Sequence, residues 1–377
     1  MLDYHLTHRD TETAARAGEL VTPHGTVRTP AFMPVGTAGT VKGMAVWELE
    51  RLAPEMVLAN TYHLLLRPGV DRVEAMGGLH ALLAWSGPIL TDSGGYQVFS
   101  LTARRELDEE GVTFRSHLDG SPHRLTPENV VETQSRYGVD VAMVLDECLP
   151  YPVELDTAEA SVARSVAWAR RGLARADELR SRAGGWRGGL FAIQQGSLDE
   201  GLRRRCTDEL AGHPFDGFAI GGLAVGEPSD ALHEATAMAA PMLPEERPRY
   251  LMGVGYPHDI VHAVACGVDL FDCVLPTRSA RTGKVFTSRG ELNIKNARFA
   301  DDLDPLDPEC SCPTCTRYPR AALRHLFVAK EVTSVVLLTL HNLTFFLRLM
   351  REAREAIMAG RYGRFQRRFD QIRKIEV

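Results

Sequence analysis

The feature that most constrains this chain is an alternation. Eight short apolar, β-rich runs, at 32–35, 56–58, 89–91, 141–145, 190–194, 217–220, 250–254 and 270–274, are separated by longer segments of helical character. Helices are expected at 45–52, 127–137, 157–182, 198–210, 229–242 and 257–266. The second has the clearest start, with Thr126 as N-cap and Pro127 at the first helical position. Strands alternating with helices imply parallel pairing, either in a closed (β/α)8 TIM barrel or in an open doubly wound sheet. The polar residues separate these two. TDSGGYQ follows the third run, DEC the fourth, QQG the fifth, GGL the sixth and GVGYPHD the seventh, and Asp272 lies within the eighth. A barrel collects chemistry at the C-terminal ends of successive strands, whereas an open sheet concentrates it at one switch point. The barrel is the expectation.

After residue 274 the alternation stops. Residues 276–330 hold hairpin-like turns (RTGK, SRGE) and clustered cysteines without a clean helical period, and an amphipathic helix follows at 343–358. The expected organisation is a barrel over 1–275, a zinc-binding insertion over 276–342, and a last barrel helix with a basic tail over 343–377.

The 377 residues are 44% hydrophobic and 24% charged, which excludes disordered and coiled-coil classes. A net charge of -6 excludes a bulk-basic nucleic-acid binder but not a local patch. Such patches exist: 278–298 carries six basic residues against one acidic, and the tail from 361 carries six against two. The most apolar stretch, 335–350, is interrupted by His341, Asn342 and Arg348, so no membrane span is expected. The opening MLDYHLTHRDTE has neither the basic start nor the apolar run of a secretory signal, which points to the cytoplasm.

In a cytosolic chain, clustered cysteines indicate metal rather than disulfides. Cys310, Cys312 and Cys315 can converge on one tetrahedral Zn2+, with a histidine completing the set. Spacing leaves His325 and His341 both open as that ligand. Four protein ligands make a structural site rather than a catalytic one.

Two aspartates stand out as reactive. Asp92, between a strand and the Gly94-Gly95 turn, suits general acid/base work, although Asp-Ser-Gly also caps turns. Asp272, inside an apolar strand, must be paired, hydrogen-bonded or functional, with Arg278 or Arg281 as possible structural partners. Asp146 and Glu147 close the fourth run, Gln195 closes the fifth, and Gly221-Gly222 follow the sixth. A carboxylate, an amide and exposed backbone N–H groups match the Watson–Crick edge of guanine, with its N1–H and N2–H donors and O6 acceptor. Tyr96 and Met252 offer faces for a flat heterocycle.

TDSGGYQ, DEC, IQQGS, GGLAVGEP, MGVGYPHD, FDCVLPTRSAR and CSCPTC followed by HNL together resemble the bacterial tRNA-guanine transglycosylase (queuine tRNA-ribosyltransferase) family over nearly the whole chain. The resemblance implies Asp272 as nucleophile on ribose C1′ and Asp92 as proton acceptor. It implies a base pocket of Ser93, Gly94, Gly95, Asp146, Cys148, Gln195, Gly221, Gly222, Leu223, Val225 and Glu227, with Tyr96 and Met252 sandwiching the base. RNA contact is implied for Gly253, Val254, Gly255, Tyr256, Pro257, His258 and Asp259, and for Thr277, Arg278, Ser279, Ala280 and Arg281. His341 rather than His325 becomes the fourth zinc ligand. The implied partners are a tRNA with a GUN anticodon, guanine, and preQ1 (7-aminomethyl-7-deazaguanine), in a homodimer with no organic cofactor. Eukaryotic relatives tend to have glycine where Val225 stands and valine where Cys148 stands, so Val225 is expected to favour preQ1 over the bulkier queuine. Three alternatives predict different features. An archaeal-type relative would carry further C-terminal RNA-binding domains. A non-catalytic partner subunit would not need both aspartates, and a metal-dependent barrel hydrolase would place its ligands at strand ends.

Overall fold

The computed structural model describes residues 2–101 and 105–373. All eight expected runs form strands: β1 (Ala31–Met33), β2 (Val57–Ala59), β3 (Ile89–Thr91), β4 (Val141–Met143), β5 (Gly189–Gln194), β6 (Gly217–Ile220), β7 (Arg249–Leu251) and β8 (Leu270–Asp272). Each pairs in parallel with its sequence neighbour, and β8 returns to β1 with Leu270 opposite Ala31. A parallel bridge from Val35 to Leu58, reinforced by Gly36 N–H to the Leu58 carbonyl at 2.6 Å, joins β1 to β2 and closes the ring. The fold is a (β/α)8 barrel. Its strands are short and buried on both faces, as expected of runs without polar alternation.

Helix starts follow the local signals. Pro127–Tyr137 begins with a capping box in which Thr126 and Asn129 satisfy each other's backbone N–H, and it ends at Gly138 in the left-handed region. Leu155–Ser181 and Glu200–Ala211 pack against β5 and each other.

Three features depart from the expectations. A three-stranded antiparallel sheet (Asp3–Arg9, Arg16–Thr22, Gly25–Thr29) precedes the barrel and covers its N-terminal end. A second antiparallel sheet (Arg105–Asp108, Gly111–Arg115, Pro122–Leu125) lies between β3 and β4. The final helix begins at Val332, not 343, and runs to Met358. Of the three residues that interrupt its apolar run, His341 and Asn342 are fully buried in polar contacts, and only Arg348 reaches solvent in part. By length and composition this helix could cross a membrane, but 67% of its most apolar window is buried against the protein, as in a core helix.

The segment after β8 is also more ordered than expected. It opens with helix Leu275–Thr282, continues as the hairpin Lys284–Thr287/Gly290–Asn293, and adds helices Pro313–Arg317 and Arg320–Val328. Val285, Leu292, Ile294, Phe299, Leu306 and Leu323 form a core separate from the main barrel core, with the three clustered cysteines in it. The basic tail continues as helix Tyr362–Arg373, and residues 374–377 lie outside the described residues.

Candidate functional site

The C-terminal ends of β3, β4 and β8 bring three carboxylates close enough to feel one another's charge, Asp272 acting on Asp92 and Asp92 on Asp146. Asp92, one residue beyond β3, accepts hydrogen bonds from Asn60 Nδ2 (2.7 Å), Gln97 Nε2 (2.9 Å) and Thr61 N–H (2.7 Å). Burial nevertheless dominates and pushes its pKa up to about 6, with the nearby Asp272 charge adding to the rise. Asp146 accepts from Gln195 Nε2 at 2.6 Å and Ser93 Oγ at 3.4 Å. Burial, helped by the Asp92 charge, raises it too, to about 6. Asp272 is raised by burial against the lowering effect of its two hydrogen bonds. Both bonds fall on Oδ1, from Tyr250 OH (2.6 Å) and Gly253 N–H (2.8 Å). Among the described residues Asp272 has no ion pair, so the structural partnership with Arg278 or Arg281 is not formed.

The glycines around these groups are needed for space. A Cβ at Gly95 would lie 2.8 Å from the Asp146 carbonyl oxygen, and one at Gly222 only 2.5 Å from Gln195 Oε1. Gly94 and Gly222 also adopt φ of +84° and +65°, which side chains disfavour. A carboxylate with a free oxygen, a second of raised pKa, and an amide paired to a third suit attack on a sugar carbon beside a hydrogen-bonded base.

The family model described as queuine tRNA-ribosyltransferase matches residues 10–374. The chain belongs to that family. A queuine tRNA-ribosyltransferase of Nitratidesulfovibrio vulgaris (strain DP4) is 53% identical over 367 residues, covering 97% of this chain and 96% of the relative. One from Caldanaerobacter subterraneus subsp. tengcongensis is 49% identical over 98% of this chain and 96% of its own length. One from Zymomonas mobilis subsp. mobilis is 49% identical over 95% and 92%. The protein is accordingly a transferase enzyme of the pentosyltransferase class.

Within this ribosyltransferase, Leu223 is buried, Val225 is half-buried, and Cys148 lies against the Gly222 backbone with its thiol pushed by burial up to about 12. Glu227 is turned onto its own loop: its two carboxylate oxygens accept the N–H groups of Ala224 and Val225. Glu147, adjacent to Asp146 in sequence, points the other way and is ion-paired to Arg164 on the outer helix. Tyr96 is 50% exposed on helix Gly95–Leu101, and Met252 is half-buried beyond β7.

The residues expected at RNA divide by exposure. Gly253, Tyr256, Arg278 and Arg281 reach solvent. Val254, Gly255, Pro257, Thr277, Ser279 and Ala280 are buried. Asp259 is buried and accepts from His233 Nε2 (2.7 Å) and Ser229 Oγ (3.2 Å), with His258 Nε2 at 3.1 Å. It secures helix Pro257–Ala265 from within and does not face solvent.

The metal-ligand cluster is resolved in favour of His341. The ligand atoms of Cys310, Cys312, Cys315 and His341 all lie within 4.8 Å of one another, and all four residues are buried. His325 is exposed on helix Arg320–Val328. His341 Nε2 is 2.8 Å from the Phe286 carbonyl, so Nε2 carries the proton and Nδ1 faces the thiols, 3.2 Å from Cys315 Sγ. Thiols crowded this closely favour one deprotonated member, and contacts from Cys310 and Cys315 lower Cys312. The donor set fits a tetrahedral metal ion and is compatible with zinc.

Sequence reasoning missed Tyr250, Asn60, Thr61 and Gln97, which hold Asp272 and Asp92. Asn60, Thr61 and Tyr250 are common residues whose role depends on a contact with a neighbouring strand end, and Gln97 lies on the helix that follows Asp92.

Proposed function

We propose that this protein exchanges guanine at the anticodon wobble position of GUN-anticodon tRNAs for preQ1, as a step of queuosine synthesis. The observation that carries the proposal is the meeting of Asp92, Asp146 and Asp272 at three strand ends, each with a raised pKa.

Asp272 Oδ2 attacks C1′ of the wobble nucleotide while Tyr250 OH and Gly253 N–H hold Oδ1. Guanine departs with the C1′–N9 electron pair and takes up a proton from water, and the ribose stays bonded to the carboxylate. The incoming base loses its N9 proton, ultimately to Asp92, and N9 attacks C1′ from the vacated face, releasing Asp272. Two inversions give net retention, as in two-carboxylate glycosidases. Asp146 accepts from the base N1–H and N2–H, Gln195 and Gly222 N–H donate to its 6-oxo group, and Tyr96 and Met252 flank its faces.

Gly253, Tyr256, Arg278 and Arg281 are the side of the site that meets the RNA, with Lys284 (over the Tyr256 ring at 5.2 Å) extending the basic surface. Cys310, Cys312, Cys315 and His341 would hold one structural zinc ion, and a bound ion would tie the 310–315 segment to helix Val332–Met358. The site of action is the cytoplasm, where tRNA is found, and the active form is a homodimer.

Exchange of labelled guanine out of a GUN-anticodon tRNA, with denaturing-gel capture of an RNA–protein adduct, tests the reading. Exchange with adduct supports it, whereas exchange without any trappable adduct would replace double displacement by direct substitution. Absence of exchange with all GUN-anticodon tRNAs would overturn the function.

A further inference from the structure

Arg203, on helix Glu200–Ala211, is 0% exposed, and among the described residues no carboxylate lies within ion-pair distance of it. Burying a cation without a counter-ion is costly unless its donors are all used well. Here the guanidinium is spread over three acceptors. Nε donates to the Ser197 carbonyl at 2.6 Å, Nη1 to Gln194 Oε1 at 3.1 Å, and Nη2 to the Gly221 carbonyl at 3.0 Å. These acceptors belong to the ends of β5 and β6. Nothing in the chemistry derived above uses Arg203.

The third bond has a geometric consequence. The Gly221 carbonyl and the Gly222 N–H belong to the same trans peptide, in which C=O and N–H point in opposite directions. Drawing the Gly221 oxygen toward Arg203 therefore turns the Gly222 N–H away from Arg203. With glycine on both sides, that peptide could otherwise rotate at low steric cost. The Ser197 bond acts on the other half of the base-reading set, because Ser197 follows Gln195-Gly196, and Gln195 Nε2 is fixed on Asp146.

We infer that Arg203 is a positioning residue that locks the Gly221–Gly222 peptide with its N–H toward the 6-oxo group of the bound base. The inference rests on the base-exchange reading. An ionised donor on the carbonyl also polarises the peptide, which strengthens the same N–H as a donor. A cation serves better here than a neutral amide because its rigid fork reaches two strand ends at once.

Arg203→Lys keeps the charge with one mobile donor, and Arg203→Met keeps bulk without donors. The expected result is a base KM raised about tenfold in Arg203→Met and less in Arg203→Lys, with the KM for tRNA unchanged. Inhibition constants of guanine and of 2-aminopurine, which lacks the 6-oxo group, give a readout that does not depend on the folded fraction. The wild type should prefer guanine, and the preference should shrink roughly tenfold in Arg203→Met. A merely structural role would lower the melting temperature and the active fraction but leave the KM split and this preference intact, and that result would overturn the inference. If the wild type itself exchanges no guanine, the base-exchange reading fails. If it exchanges normally and both variants keep the wild-type preference, only the role of Arg203 fails.

Discussion

The two ends of this barrel use the same residue type for opposite purposes. At the N-terminal end, Asp140, Asp216 and Asp269 each stand immediately before an even-numbered strand and are fully buried. Each accepts a backbone N–H from the start of the preceding odd strand: Ile89 (2.8 Å), Leu190 (2.8 Å) and Arg249 (2.7 Å). The N-terminal sheet and its flanking residue then complete them. His24 bonds Asp140, Leu2 N–H bonds Asp216, and Arg16 and Tyr4 bond Asp269. Burial alone would raise Asp140, but bonds from His80, Ile89 and His24 overcome it and hold the carboxyl below its ordinary range. At the C-terminal end, Asp92 and Asp146 are buried and Asp272 is half-buried, none has a cation paired to it among the described residues, and all three are raised. Saturated carboxylates hold the ring together, while under-compensated ones are suited to the nucleophile and proton-acceptor roles proposed above.

This contrast can be broken most sharply at its extremes. Asp272→Asn is expected to abolish adduct formation and reduce exchange by at least roughly a thousandfold, with the melting temperature little changed and tRNA binding retained in a filter assay. Exchange at the wild-type rate would remove Asp272 as nucleophile. Asp269→Asn is the mirror experiment. It leaves the buried Arg16 guanidinium, 2.5 Å from Asp269, without its counter-charge. A loss of about 3–5 kcal/mol in denaturant unfolding is expected, with activity per folded molecule preserved. A variant that folds normally but exchanges slowly would show that the two ends are not separable.

Metal loss should resemble the N-terminal end rather than the site. Cys312→Ala is expected to lower zinc content and destabilise the segment after β8, read by elemental analysis and limited proteolysis. Stoichiometric zinc retained in Cys310→Ala, Cys312→Ala and His341→Ala alike would dismiss the ligand set.

At the base pocket the expected effect is smaller. Val225→Gly should shift competition between preQ1 and queuine towards queuine, by an amount equivalent to about 1–3 kcal/mol. Equal use of both bases by the wild type would contradict the steric argument. Glu227 does not present a free carboxylate to the preQ1 amine, since both its oxygens are taken by Ala224 and Val225 N–H. Any influence it has on that amine passes through the loop backbone.

The pH dependence sharpens the contrast further. Asp92 must be ionised to take a proton, so exchange should fall about tenfold per unit below pH 6. The fall belongs to the interacting carboxylates together, not to one residue. Stability has the opposite slope. The unfolded chain releases the Asp92 proton near its ordinary value of 3.8, whereas the folded protein keeps it to about 6. The site's contribution to stability therefore declines as pH rises through that window. An exchange rate flat from pH 7 to 5 would exclude Asp92 as the acceptor.

The sequence by itself determined the barrel, because eight apolar runs alternating with helical periods leave few ways to bury both faces of a parallel sheet. It also exposed Asp92, Asp146 and Asp272, since a carboxylate at the end of an apolar strand is conspicuous. Cys310, Cys312 and Cys315 were evident from their spacing. Tertiary structure decided what depends on contacts between distant segments. His341 sits on helix Val332–Met358, whose polar interior residues hid its first turns. The N-terminal sheet pairs locally, but what seats it on the barrel are distant contacts, with the flanking Leu2 reaching Asp216 and Tyr4 reaching Asp269. Arg203 gave no sign in one dimension, since an arginine on a helix is ordinary until it is found buried with its donors on two strand ends. Hydrophobic period is a local property and can be read along the chain, whereas the compensation of a buried charge is set by whatever the fold brings beside it.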